Sequence, residues 1–412
     1  MSLINKLINI EVDMSTIINP TNLLNQTLTL PCGAVLNNRI VKSAMSDSLA
    51  DGRGNPTKAQ ARLYEKWAEG GVGLSIIGEV QIDPNFPERP GNLVLGVNSN
   101  IKSLQSLTTG AKINGSHIWA QLGHAGGLSY MPISRPKGPS ALKIGSFECA
   151  GMSEAEVTDL PNTYSKAAKI AKEGGFSGIQ IHAGHGFLLS QFLSPLFNHR
   201  QDQYGGEIAS RCKIIIDIIN KVRSVVGEKF PIGIKINCTD QLEGGLTEQD
   251  ALLAMDILDK TSLDLIEISG GSYFPGAKSS SDSVLKGPYF SEFAKKAKAL
   301  TNIPVAITGG YKTREEVLTS LQSNAGDMIG IARALVLDPA LVNNWLKNTN
   351  NKPHFPRFTA PPEGGITAWY TMRLSAIGNN IESDYSLDLT AAIQTYEERD
   401  KARCIEWQAQ FQ

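Results

Sequence analysis

Eight short apolar, largely β-branched runs, separated by stretches of helical period, constrain this chain more than any other feature. They fall at 39–44 (RIVKSA), 72–77 (VGLSII), 118–122 (IWAQL), 178–182 (GIQIH), 232–236 (IGIKI), 263–268 (LDLIEI), 304–308 (PVAIT) and 327–331 (DMIGI). Strands so apolar need cover on both faces, as in a parallel sheet wrapped by helices. The intervening segments 57–69, 161–173, 208–226, 247–261, 313–323 and 338–347 supply that cover. Gly174-Gly175 stops the second, and TEQD opens the fourth with a capping Thr247 and early acids. Eight strands alternating with helices over about 300 residues count to a single (β/α)8 TIM barrel of the α/β class.

The barrel is expected to span 18–350, behind a flexible N-terminal arm over 1–17. TLTL-PCG-AVL reads as a hairpin turning at 31–33 and capping the N-terminal mouth. Residues 351–412, proline-rich at first (PHFPRF, APPEGG), read as a C-terminal helical extension packed on the barrel.

With 412 residues, 41% of them hydrophobic, the chain can bury a large core as one unit. A formal charge of −1 provides no field to gather nucleic acid or an anionic membrane. The five cysteines, Cys32, Cys149, Cys212, Cys238 and Cys404, show no C-x-x-C spacing, so no zinc or iron–sulfur site is expected. They read as reduced thiols of a cytoplasmic protein. No apolar run reaches the roughly 18 residues that span a bilayer. The expected partner is a small molecule, for a monomer or homo-oligomer.

Chemistry on such a barrel belongs at the C-terminal ends of the strands, where the βα loops converge. Three of those loops are long, at 78–99, 123–154 and 183–206, which suits a lidded pocket. Strands seven and eight end in Thr308-Gly309-Gly310 and Ile331-Ala332-Arg333. Small residues expose backbone N–H groups there and the arginine adds directional donors, the makings of a phosphate cradle. Strand four ends in His182-Ala183-Gly184-His185. This pair suits oxyanion binding better than a metal, for want of a further ligand, and better than two packing histidines. Lys235, inside an apolar strand, needs an anion: a reduced flavin edge, a substrate carbonyl in a Schiff base, or an internal partner such as Glu79 or Glu267. Gln121 closes strand three and suits the polar edge of a heterocycle.

Four segments, in order, resemble the Old Yellow Enzyme family of NADH:flavin oxidoreductases: NRIVKSAMS ending at Ser46, WAQLGHAG (119–126), GFSGIQIHAGHGFLLSQFLSPLFNHRQDQYGG (175–206), and GG…GIAR ending at Arg333. The resemblance implies non-covalent FMN, reduced by NADPH or NADH, passing hydride to an activated alkene. It places Ala44, Met45 and Ser46 along the flavin, Val80 at a small-residue position, Gln121 on the pyrimidine edge and Lys235 near N1. Gly310, Ala332 and Arg333 would hold the phosphate, while His182 and His185 would grip a carbonyl or nitro oxygen. Asn198, Arg200 and Arg211 would tie loop carbonyls.

The sequence departs from the family pattern at several positions. Ala44 stands where proline is usual, Ser46 where threonine or cysteine is, and Lys235 where arginine is more common. Phe187 replaces the tyrosine that ordinarily protonates the α-carbon, a role typically worth about 10²–10⁴-fold. Tyr273, another substrate-pocket candidate, offers a substitute hydroxyl. The leading expectation is an NAD(P)H-dependent ene-reductase. A redox-neutral alkene isomerase and a quinone or oxygen reductase stand as alternatives, with a Lys235 lyase and a non-catalytic flavin binder behind them.

Overall fold

The computed structural model describes residues 23–145, 147–274 and 287–412, so the expected 1–17 arm lies outside it. Eight strands form the barrel: β1 (Ile40–Lys42), β2 (Leu74–Gln81), β3 (His117–Gly123), β4 (Gly178–Ala183), β5 (Ile232–Asn237), β6 (Leu265–Ser269), β7 (Val305–Thr308) and β8 (Met328–Ile331). Each runs parallel to its neighbour, and β8 pairs with β1, which pairs with β2 to close the cylinder. Around it lie α1 (Lys58–Glu69), α2 (Ile101–Ala111), α3 (Glu154–Glu173), α4 (Ile208–Val226), α5 (Glu248–Asp259), α6 (Ser291–Lys298), α7 (Arg314–Gln322) and α8 (Leu341–Leu346). No helix among the described residues is long and apolar enough to cross a membrane.

The hairpin forms as read, with Leu28 opposite Leu36 and Thr29 opposite Val35. Its Leu30 and Leu36 enter the barrel floor against Val41, Leu74, Trp119, Leu265 and Met328. The helices depart from the six expected segments, and α6 falls within none of them. Helix α2, capped by Asn100, was not anticipated. Helix α3 starts at Glu154, well ahead of Pro161, because Ser153 and Glu156 form a reciprocal capping box. Pro161 therefore sits inside the helix, at a cost of about 3 kcal/mol that burial of Val157, Leu160 and Tyr164 offsets. The long loop before α3 also carries a small sheet built from Lys137–Gly138, Leu142–Ile144 and Phe147–Gly151.

Beyond the barrel, α9 (Gly365–Gly378) lies on α1, and α10 (Leu389–Phe411) lies on α9. Gly378 permits the first contact: a β-carbon there would sit 2.4 Å from the Ala59 carbonyl oxygen. Arg403 of α10 reaches the active end of the barrel, where it donates to the Ser48 carbonyl at 2.6 Å.

Strand alternation decides what fills the lumen. In β3 to β6 the isoleucines and Leu122 pack outward against the helices, as in I-Q-I-H, I-K-I-N and I-E-I-S. The residues between them point inward. Trp119 and Leu265 lie at the floor, and the polar residues one and two steps further along each strand gather beneath the mouth.

Candidate active site

Under the mouth, inward side chains form one hydrogen-bonded network. Gln121 donates to Gln180 at 2.8 Å, and Gln180 to Glu267 at 2.6 Å. Glu267 also pairs with Lys235 at 3.1 Å and accepts from Thr308 at 2.5 Å. Thr308 in turn meets Ser43 at 2.6 Å. Burial opposes ionisation of Glu267, but Lys235 and the donors from Thr308 and Gln180 outweigh it and bring the carboxyl down to about 2. Of the partners considered for Lys235, Glu267 is therefore realised. The lyase reading needs a free amine, and Lys235 Nζ is instead held by the Glu267 carboxyl.

Above this network opens a cleft of about 300 Å³. Ala44, Met45, Ser46, His185, Lys235, Tyr273, Gly310, Ala332 and Arg333 all line it. The strand-seven turn is built of glycine for a steric reason. Gly310 has φ +86°, and a β-carbon there would lie 1.9 Å from the Gly287 carbonyl oxygen. Arg333 forms no ion pair among the described residues and stacks on Tyr370 of α9, 5.8 Å from the ring centre. A bare glycine turn beside an uncommitted guanidinium suits a phosphate, and the Lys235 ammonium at the cleft floor suits an anionic ring edge. These residues fit FMN.

Three sequence candidates, Val80, Gln121 and Phe187, are placed outside the cleft, and Tyr273 lines it from an exposed loop. Val80 is fully buried and points outward into the strand–helix core, because Glu79 takes the inward position beside it; it does not line the cleft. Gln121 lies below the cleft, with its carbonyl near Gly78 and its amide on Gln180. Phe187 is buried, its ring 5.2 Å from His182 and 5.7 Å from Tyr273. Tyr273 is 64% exposed.

The histidines do not meet at one point as two free donors. His182 Nε2 bonds His185 Nδ1 at 2.9 Å, so the rings stand in series, and His185 alone lines the cleft. His185 holds φ +60°, fixed by its N–H on Asn237 at 3.1 Å and its carbonyl accepting from Tyr273 N at 3.0 Å. Its Nε2 meets the Ser269 hydroxyl at 2.9 Å. Behind the pair, the Glu79 carboxyl contacts His182 Nδ1. Burial lowers both imidazoles, with Lys235 adding to the effect, and takes His182 to about 3. Both rings are neutral near pH 7.

Two more carboxyl groups shape the site. Burial raises Glu79 to about 8, against the pull of Lys235. Burial likewise raises Glu88, which lines the cleft, to about 7, and Ser46 donates to it at 2.8 Å. Sequence reasoning named Glu79 and Glu267 only as partners for Lys235 and passed over Gln180, Ser269 and Glu88. The apolar–polar alternation of β4 to β6 carried the signal for Gln180 and Ser269. Glu88 sits in a loop without periodicity and had none.

The loops bear out the scaffold reading. Asn198 donates to the carbonyls of Phe192 and Tyr204, both at 2.8 Å, and Arg200 to those of Pro139 and Met152 at 2.9 and 2.7 Å. Arg211 ties the carbonyls of Leu193 and Gly206.

A closed (β/α)8 barrel with an anion-ready cleft at its C-terminal end defines the class, a flavin-binding barrel oxidoreductase. Residues 30–352 match the NADH:flavin oxidoreductase / NADH oxidase family, and the chain belongs to it. Among its relatives, the NADH-dependent flavin oxidoreductase iliE of Hypocrea jecorina is 30% identical, over 83% of this chain and 95% of its own. An NADPH dehydrogenase of Clostridium acetobutylicum is 29% identical, over 78% of this chain and 94% of its own. In structure, the old yellow enzyme homologue from Zymomonas mobilis superposes with a TM-score of 0.70 at 22% identity, covering 84% of this chain and 98% of the other. The chain is an NAD(P)H-dependent flavin oxidoreductase whose cofactor is FMN.

Proposed function

We propose that the chain reduces activated C=C bonds, those of α,β-unsaturated carbonyl or related compounds, at the expense of NADH or NADPH. The observation that carries this reading is a single cleft joining a phosphate-competent turn, the Lys235 cation and the His185–Ser269 edge. Bound FMN supplies the hydride. Gly310, Ala332 and Arg333 hold its phosphate, Lys235 balances its anionic edge, and Ala44, Met45 and Ser46 form its bed. Ser269 presents its hydroxyl to the substrate's activating oxygen, His185 bonds that hydroxyl from behind, and His182 fixes the His185 ring. A donor aimed at developing oxyanion charge contributes about 10²–10³-fold. Tyr273 forms an aromatic wall against a planar substrate.

Anaerobic titration with each nicotinamide is expected to bleach the yellow protein, and a cyclic enone to restore the colour with formation of saturated ketone. Failure of every enone tried to reoxidise the reduced protein, with quinones succeeding, would replace this reading with a quinone reductase.

A second reading rests on Phe187, a ring without an acidic proton where an α-carbon donor would stand. It is redox-neutral alkene isomerisation, which predicts isomer formation without stoichiometric nicotinamide oxidation. Phe187→Tyr should then shift the product toward the saturated ketone.

A further inference from the structure

We propose that Glu79, His182, His185 and Ser269 form a proton relay that neutralises the substrate's enolate oxygen, so that the product leaves as an enol. The proposal rests on the reductase reading above and adds the route of the proton.

The geometry is a chain of three contacts: two are hydrogen bonds, and at the third the Glu79 carboxyl touches His182 Nδ1, a buried nitrogen with no other partner among the described residues. His182 Nε2 meets His185 Nδ1 at 2.9 Å, and His185 Nε2 meets Ser269 Oγ at 2.9 Å. One end is buried in the barrel wall, while His185 and Ser269 line the cleft. Room for the buried end is made by Gly123 of β3, where a β-carbon would lie 2.0 Å from Glu79 Oε2. That Oε2 atom is buried without a hydrogen-bond partner. A neutral carboxyl tolerates this far better than a carboxylate would.

Two polarities satisfy the chain, and Glu79 selects between them. With Glu79 protonated, its O–H donates to His182 Nδ1, His182 Nε2–H donates to His185 Nδ1, and His185 Nε2–H donates to Ser269. The serine's own proton is then left for the cleft. With Glu79 ionised, every bond reverses, Ser269 donates to His185, and nothing is offered to substrate.

Hydride arrival at the β-carbon moves the C=C electron pair onto the activating oxygen. Ser269 gives its proton to that oxygen and recovers one from His185, which recovers one from His182, which takes the Glu79 proton. The enol forms and Glu79 ends as a carboxylate near Lys235. A solvent proton entering at Ser269 resets the chain. With phenylalanine at position 187, tautomerisation of the enol to the ketone is left to water.

Glu79 faces charged and titratable groups on several elements. These are Lys235 on β5, His182 on β4, Tyr164 on α3, and Glu88 and Tyr273 in the mouth loops. Burial favours its neutral form, Lys235 favours the ionised one, and the balance falls at about 8.

Histidine-selective nitrogen NMR of the flavin-loaded protein tests the relay without turnover. The His182 and His185 tautomers should invert together with a midpoint near pH 8 in the wild type, and stay fixed in Glu79→Gln. Rings that keep one tautomer across that range overturn the proposal, and the wild type alone decides it if the variant does not fold. Turnover of an α-methyl cyclic enone is the second arm. Its kcat should fall as pH rises through about 8. Ser269→Ala should lower kcat by about 10²-fold, with Ser269→Thr restoring most of it. Ketone sampled early should be racemic at the α-carbon. One α-enantiomer, abolished by Tyr273→Phe, would assign protonation to Tyr273 and overturn the relay. An enone that never reoxidises the reduced protein would instead defeat the reductase reading, whatever the tautomers do.

Discussion

Glu267 bears on both stability and cofactor binding, because among the described residues it is the carboxylate that pairs with Lys235 beneath the cleft. Both side chains are almost wholly buried. Removing one member of such a pair strands the other charge, which costs about 3–5 kcal/mol. Glu267→Gln is therefore expected to lose that much unfolding free energy in urea when flavin is absent. Pairing Lys235→Met with Glu267→Leu should recover most of the loss, since apolar replacement of both partners is often neutral. A Glu267→Gln protein within about 1 kcal/mol of wild type would mean that water reaches the pair. Gln180 and Thr308 also bond Glu267, so part of the cost will reach β4 and β7 through those bonds.

At the scale of elements, the turn after β7 is the most exacting. Gly310→Ala would place a methyl carbon against the Gly287 carbonyl at a backbone angle that L-residues adopt at a cost of roughly 1–2 kcal/mol. FMN affinity should weaken by about tenfold or more in a fluorescence titration, while the melting curve of the flavin-free protein changes little. Unaltered affinity would remove this turn from the phosphate site. Its Gly-Gly was legible in the sequence because a turn of this shape admits few other residues. The strands were legible for a related reason: I-Q-I-H and I-K-I-N alternate visibly, and Lys235 stood out as a cation needing a partner. Val80 was placed by the resemblance, which does not show the irregular register between Ile77 and Val80 beside Glu79. The start of α3 was written in S-E-A-E but masked by Pro161, a stronger local stop signal than the cap is a start. The series arrangement of His182 and His185 depends on a left-handed residue and on partners from β5 and β6, and spacing alone does not encode these.

Taken as a whole, the molecule has a second seam that joins its C-terminus to the loops of its active end. Trp407 of α10 is fully buried and donates to the Pro84 carbonyl at 3.1 Å. It packs with Val94, Ile133 and Phe411 in a cluster separate from the main core. Nearby, Arg89 faces Asp400 at 3.8 Å, on the same loop that brings Glu88 to the cleft. Because this cluster is distinct from the barrel core, its loss should register as local opening rather than global unfolding. Trp407→Ala removes a side chain whose deletion from a core costs about 3–5 kcal/mol. Hydrogen exchange is expected to accelerate by a matching factor in α10 and in residues 83–94, with strands β4 to β8 keeping their protection. Carboxyl Glu88 would then meet more water, and its value should fall from about 7 toward that of an ordinary glutamate. If exchange rises equally in the strands, the seam belongs to the barrel's single cooperative unit, and α10 supports the fold rather than the cleft.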